Sequence, residues 1–307
     1  MMATTAPRET GTPVSGVRIW LMAARIRTLP ASLAPVLVGT ALAGYAHVFH
    51  PLRFLAALVG AIFIQVGTNL SNDYSDARRG ADADDRLGPV RVTAGGLVPP
   101  KQVLLATYIS FGVAVLAGAY LIAVAGWLLL AIGAASILAG VMYTGGPRPY
   151  GYEGLGELFV FLFFGIVAVV GSYFVQVKHL HWEAFALAVP VGLLAAAILV
   201  VNNVRDIDSD RRAGKRTLAV RIGRARTRTM FGAMVYLSYI LTPVTWAFGH
   251  LTAWLLLPWL TLPPAASIVR EVRNRVDGPS LNKALAQTGL LQLSFCVLLS
   301  AGLLLSR

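Results

Sequence analysis

The chain has 307 residues, of which 56% are hydrophobic and only 13% charged, with a mean hydropathy of +0.68 and a formal net charge of +12. One soluble core cannot hide that much apolar side chain, which excludes an ordinary soluble enzyme and predicts an all-α polytopic membrane protein with the lipid bilayer as its surroundings. The positive charge comes with no soluble basic domain and no aromatic-basic motif, which excludes nucleic acid as the partner.

Residues 1–16 read as a disordered polar tail without a signal-peptide cleavage pattern, and residues 17–307 as a single transmembrane domain. Nine apolar stretches follow, at 28–47, 53–75, 101–123, 127–144, 155–177, 183–203, 228–248, 251–269 and 283–305. Each approaches the ~20 residues that a helix needs to cross a hydrocarbon core. The short breaks at 124–127 and 248–252 are needed because merged helices would be far too long for a bilayer. With a cytoplasmic N-terminus, nine spans put the loops 76–101, 144–154, 204–227 and 270–282 in the cytoplasm. Of the 26 Lys and Arg, 23 lie in those loops, in the N-terminal segment or at adjoining helix ends, leaving Arg53, Lys178 and Arg307. That asymmetry fits the positive-inside rule and places the motif-bearing ends in the cytoplasm.

The first stretch begins beside Arg27, placed either to reach into a cavity from the cytoplasmic side or to anchor the helix, and Pro30 and Pro35 predict a kink. The second ends in "NLSNDYSD", where Asn69, Asp73 and Asp76 lie at i, i+4 and i+7 and so share one helix face. The fourth closes on Tyr143. The loop after it, "GGPRPYGY", carries Arg148 without any periodic helical reason, which makes Arg148 a candidate for binding an anionic group. The sixth ends in "NNVRDIDSD", where Asn203, Asp206 and Asp210 share a face, Asn202 is an alternative first member, and Asp208 points elsewhere. The last three stretches carry only hydropathy. Cys296 has no partner for a disulfide, and His47, His50, His179, His181 and His250 all fall at the outer ends.

Carboxylates at a helix C-terminus oppose the helix dipole, and a charge within the bilayer costs about 2.5–3.5 kcal/mol. Two such sets at one membrane face therefore call for a counter-charge. Oxygen ligands without His or Cys suit Mg²⁺, which keeps few protein carboxylates and shares its shell with substrate phosphates. The interleaved cations Arg78, Arg79, Arg86, Arg91, Arg205, Arg211, Arg212, Lys215 and Arg216 can meet the same phosphate oxygens. A diphosphate bound at a membrane suggests a lipid diphosphate with its tail between helices. With an allylic prenyl tail, neutralising the leaving group eases breakage of the C–O bond.

The motifs "NDYSDARRG" and "RDIDSD" resemble the two aspartate-rich signatures of the UbiA superfamily of intramembrane prenyltransferases, N-D-x-x-D-x-x-x-D and a related D-x-x-x-D. Gly80 stands where the first pattern has its third Asp. The stretches "TNLSNDYSDARRGADADDRLGPVRVTAGG", "YTGGPRPYGYEGLGEL", "FFGIVAVVGSYFVQ" and "NNVRDIDSDRRAGKRTLAVRIG" are similar to the branch that prenylates 1,4-dihydroxy-2-naphthoate in menaquinone biosynthesis, and "ARIRTLPASLAPVLVG" extends the likeness to the first helix. The resemblance implies a nine-helix bundle around a cytoplasm-facing cavity in a bacterial plasma membrane. It implies Mg²⁺ bridging a polyprenyl diphosphate, and transfer of the prenyl group to the naphthoate ring with loss of diphosphate and CO₂. Asn69, Asp73, Asp76, Asn203, Asp206 and Asp210 are then the metal–diphosphate residues, with Asp82 and Asp85 as second choices in the loop. Tyr143 either lines the place where the cation forms or is an interfacial tyrosine, and Arg27, Arg78, Arg148 and Lys215 are the substrate-binding cations. Glu153 and Glu157 either act near the ring hydroxyls or favour a helix N-terminus.

Two other functions fit parts of this pattern. One is the same chemistry on another acceptor, such as 4-hydroxybenzoate or a haem or chlorophyll precursor. The other is a cation-coupled transporter, against which both acidic sets lie at one membrane face, not at the midplane where transporter sites sit.

Overall fold

The computed structural model describes residues 15–80, 87–88, 91–248 and 251–307, and among these residues every regular element is helical. Asp82, Asp85 and His250, most of the tail 1–16 and part of the 248–252 break lie outside the described residues. The chain starts with α1 (Gly16–Ala24), capped by the Ser15 hydroxyl, and turns at Arg25 through a short 3-10 segment (Ile26–Thr28) into α2 (Pro30–Tyr45). The two helices meet at a 51° bend. Pro30 sits in the first turn of α2, where its missing N–H costs nothing. Next come α3 (Pro51–Arg79), α4 (Pro100–Ala125) and α5 (Leu128–Met142). α6 (Gly156–Val160) runs through a π-helical stretch, Phe161–Val167, into α7 (Ala168–Val177). The rest are α8 (Trp182–Arg212), α9 (Leu218–Ile222), α10 (Arg224–Phe248), α11 (Leu262–Asn274) and α12 (Gly278–Leu305).

Each of the nine apolar stretches coincides with helix, but their lengths differ from the expectation. Six helical units are individually long and apolar enough to cross a membrane, and the bent α1–α2 pair makes a seventh. α5 has only 15 residues. The stretch expected at 251–269 is broken into a 3-10 segment, Ala253–Thr261, followed by α11. Pro258, Pro263 and Pro264 explain the break, since each removes a backbone donor that a continuous helix would need.

Two helices outrun their apolar content in a way that matters for function. α3 continues past residue 75 to Arg79, and α8 continues past 203 to Arg212. At ~1.5 Å per residue, the 31 residues of α8 span about 46 Å, well over the ~30 Å of a hydrocarbon core. Their last turns, which carry the acids, therefore stand beyond the apolar layer.

Of the apolar window of α8, 72% is buried, against 17% for α4, so α8 is the central post and α4 faces outward. Leu187, Val191, Leu194, Val200 and Val204 of α8 pack in one core with α2, α10 and α12. Close approach depends on glycine: a Cβ on Gly39 would lie 2.2 Å from the Val169 carbonyl oxygen, and one on Gly165 would lie 2.6 Å from Gly192 Cα. Small residues at such crossings let membrane helices pack backbone to backbone. On the other side of α8 the helices do not close, and a cavity of about 1270 Å³ opens among α1 to α8.

Candidate active site

The C-terminal turns of α3 and α8 bring both acidic sets to one end of this cavity. Asn69, Asn72, Asp73 and Asp76 from α3, and Asn202, Asn203, Asp206 and Asp210 from α8, all line it. Asp73 and Asp76 are buried, at 2% and 1% exposure, so their charges depend on the partners they find. Asp73 accepts the backbone N–H groups of Val92 (3.1 Å) and Thr93 (2.9 Å), which ties the loop before α4 to the end of α3.

Asp76 sits at the centre of a charged knot. Arg91 donates to it at 2.7 Å, the Tyr152 hydroxyl at 2.6 Å, and Lys215 Nζ stands 3.6 Å away over the Tyr152 ring. Burial, and then the negative Asp76 beside it, push the Tyr152 phenol above its ordinary range, so it keeps its proton and remains a donor. Asp206 is held by Arg205 through two bonds, Nε at 2.8 Å and Nη2 at 2.6 Å, while Arg205 also reaches Asn202 and Asn282. Asp208 lies on the exposed side of α8, paired with Arg224 at 2.6 Å.

The remaining expected residues divide into two groups. Tyr143 and Lys215 line the cavity, and Arg27 is an exposed residue at its wall. Arg78 and Arg148 are exposed and do not line it. Arg78 follows Asp76 by two residues, about 200° around the helix, and lies over the Tyr74 ring. Arg148 sits in an exposed turn between Pro147 and Pro149. Gly80 ends α3 in the left-handed conformation, φ 62°, a C-cap that favours glycine.

Sequence reading did not single out Tyr152, Tyr150 or the backbone of Val92 and Thr93. The one available signal was aromatic residues in the "PYGYEG" loop. Tyr150 meets Tyr143 edge-on at 5.5 Å and stacks on Phe159 at 4.0 Å, with Phe163 beyond, forming an aromatic wall that leads from the acids into the cavity. Farther in, the lining is aliphatic and glycine-rich: Ile64 from α3, Leu121 and Ile122 from α4, Ile132 and Ile137 from α5, and Val167 before α7.

Among the described residues no three His, Cys, Asp or Glu side chains stand close enough together to hold a metal alone. The donors facing the cavity are carboxylates and amides. That chemistry matches a cation that takes one or two carboxylates and completes its shell with water and phosphate.

The chain matches the UbiA prenyltransferase family over residues 32–301. It belongs to that family. A UbiA relative from Mycobacterium tuberculosis, named 1,4-dihydroxy-2-naphthoate octaprenyltransferase, is 41% identical over 284 residues, 92% of this chain and 96% of the relative. Among solved structures, a UbiA homologue from Aeropyrum pernix superposes with a TM-score of 0.69 at 16% identity, covering 92% of this chain and 98% of the other. A UbiA homologue from Archaeoglobus fulgidus bound to DMAPP and Mg²⁺ superposes with a TM-score of 0.64 at 14% identity, covering 92% and 99%. These likenesses establish the all-helical UbiA fold for this chain.

Proposed function

We propose that this chain is an Mg²⁺-dependent aromatic polyprenyltransferase. It transfers a polyprenyl group from polyprenyl diphosphate to 1,4-dihydroxy-2-naphthoate, with loss of diphosphate and CO₂, to give demethylmenaquinol. It acts in a bacterial plasma membrane, as nine membrane segments around a cavity that opens, like the N-terminus, to the cytoplasm. The observation that carries the reading is the meeting of two Asn/Asp sets from α3 and α8 at the polar end of a cavity whose other walls are apolar. A diphosphate head fits the first part and a prenyl tail the second. The acceptor follows the relative from Mycobacterium tuberculosis, which covers nearly all of this chain.

Asp73, Asp76, Asp206 and Asp210, with the amide oxygens of Asn69 and Asn203, are the residues that would hold Mg²⁺, directly or through water. Bound there, Mg²⁺ neutralises the leaving diphosphate and so favours breakage of its allylic C–O bond. Arg91, Arg205 and Lys215 now neutralise the carboxylates and stand within reach of the same diphosphate oxygens. Tyr143 lines the cavity beside the acids, where its aromatic face would stabilise developing positive charge. Arg27, exposed at the cavity wall, would meet the carboxylate of the acceptor as it enters.

The test is turnover by purified protein in detergent with octaprenyl diphosphate, 1,4-dihydroxy-2-naphthoate and 4-hydroxybenzoate, with and without Mg²⁺, read by mass. The expected product is prenylated naphthoquinol that has lost CO₂, formed only with Mg²⁺. Product from hydroxybenzoate alone would overturn the acceptor.

A further inference from the structure

Glu157, the second residue of α6 and the acid of its first turn, is 4% exposed. A helix N-terminus favours an acid there, but exposed Glu153, which precedes α6, meets solvent and Arg221. Glu157 instead offsets its burial with a single side-chain bond: its Oε1 accepts Nδ2 of Asn203 at 2.9 Å, and its Oε2 has no hydrogen-bond partner among the described residues. Asn203 lines the cavity, and its amide makes no other hydrogen bond among the described residues.

The two ends of an amide are told apart by their partners. With Nδ2 committed to Glu157, Asn203 presents Oδ1 to the cavity. Asn69 on α3 is tied the same way, its Nδ2 donating to the Ala24 carbonyl at 3.0 Å and to Thr28 Oγ1 at 3.1 Å, so it too presents oxygen. Asn202, beside Asn203, is fixed the other way, its Oδ1 accepting from Arg205 Nη2 at 2.8 Å, so its NH₂ is left to meet a phosphate oxygen. Asn72 meets only the Thr144 hydroxyl, at 3.1 Å, which can donate or accept and so fixes neither orientation.

We propose that Glu157 is a positioning residue, which fixes the Asn203 amide with its oxygen toward the metal–diphosphate site. The proposal rests on the function proposed above. A carboxylate at this place accepts only, so it selects one of the two amide orientations. A glutamine would accept or donate equally well and would release the flipped amide, with N–H toward the cation.

The experiment measures binding of Mg²⁺ in the presence of inorganic diphosphate to the full-length purified protein by calorimetry, without turnover, with melting recorded for each variant. Glu157→Gln is expected to weaken Mg²⁺ binding about 10-fold or more, as loss of a partner behind a metal ligand does. The double variant Glu157→Gln/Asn203→Asp is expected to recover most of that loss, because the introduced amide then donates to one carboxylate oxygen and leaves the other facing the cavity. If Glu157→Gln lowers melting, Glu157→Asp decides, since its carboxylate accepts but cannot donate and should bind Mg²⁺ more tightly than the glutamine variant. Unchanged affinity in Glu157→Gln, or a double variant no better than the single one, overturns the proposal. Failure of the unsubstituted protein to bind Mg²⁺ with diphosphate overturns the site itself, and this inference with it.

Discussion

Asp73 and Asp206 reach the same end of the cavity from different helices and with different partners, two backbone N–H groups for one and a guanidinium for the other. Removing either carboxylate deletes a proposed cation ligand and strands those donors, and a stranded buried donor costs about 1–3 kcal/mol. Asp73→Ala and Asp206→Ala should therefore lower Mg²⁺-dependent turnover on the order of 10²-fold, with Asp73→Asn as the milder variant that keeps one acceptor for the loop. Asp208→Ala removes only an exposed pair with Arg224, a contact worth about 0–1 kcal/mol, so its turnover should stay near that of the unsubstituted protein. Equal losses in all three would sink the division of α8 into a cavity face and an outer face. That division was legible from spacing, because 3.6 residues per turn sets which acids align. Tyr152 was not: its bond to Asp76 spans 76 positions and depends on how the "PYGYEG" loop folds back.

Helix ends were the elements that hydropathy misjudged, and the reason is physical. Hydropathy marks where apolar content stops, whereas α3 and α8 continue for as long as their backbone bonds and packing are satisfied, to a glycine cap at Gly80 and to Arg212. Glycine in membrane helices commonly serves close packing. That holds at Gly39, Gly165 and Gly192, but Gly60, Gly118, Gly133 and Gly171 line the cavity from four different helices with nothing within 4 Å of where a Cβ would stand. These four are expected to keep space open for a tail. Gly118→Leu and Gly133→Leu should each cut kcat/KM for octaprenyl diphosphate about tenfold or more, the scale on which a pocket discriminates by size. Geranyl diphosphate, whose tail is much shorter, should be turned over nearly as before. Equal losses for both donors would mean that these glycines serve the fold and not the channel.

α3 and α8 both start at histidine-bearing ends, His50 and His181, and both finish at the acids, so the whole molecule has one acidic end and one far end. Basic side chains gather at the acidic end, including exposed Arg211, Arg216, Arg226 and Arg273, whereas the far end has Arg53, Lys178 and Arg307. A short loop rich in Lys and Arg resists transfer across the membrane during insertion, which is the reason for proposing the acidic end as the cytoplasmic one. A charged diphosphate and a charged naphthoate would then meet at the side where both dissolve. Cys296, the single native cysteine, is buried and so is expected to be silent toward a water-soluble maleimide. In intact cells that reagent should label Phe49→Cys and His179→Cys, both exposed at the far end. Arg226→Cys and Arg273→Cys should react only after the membrane is permeabilised. The reverse pattern would turn the molecule over and put its diphosphate site outside, where no charged donor made in the cytoplasm could reach it unaided.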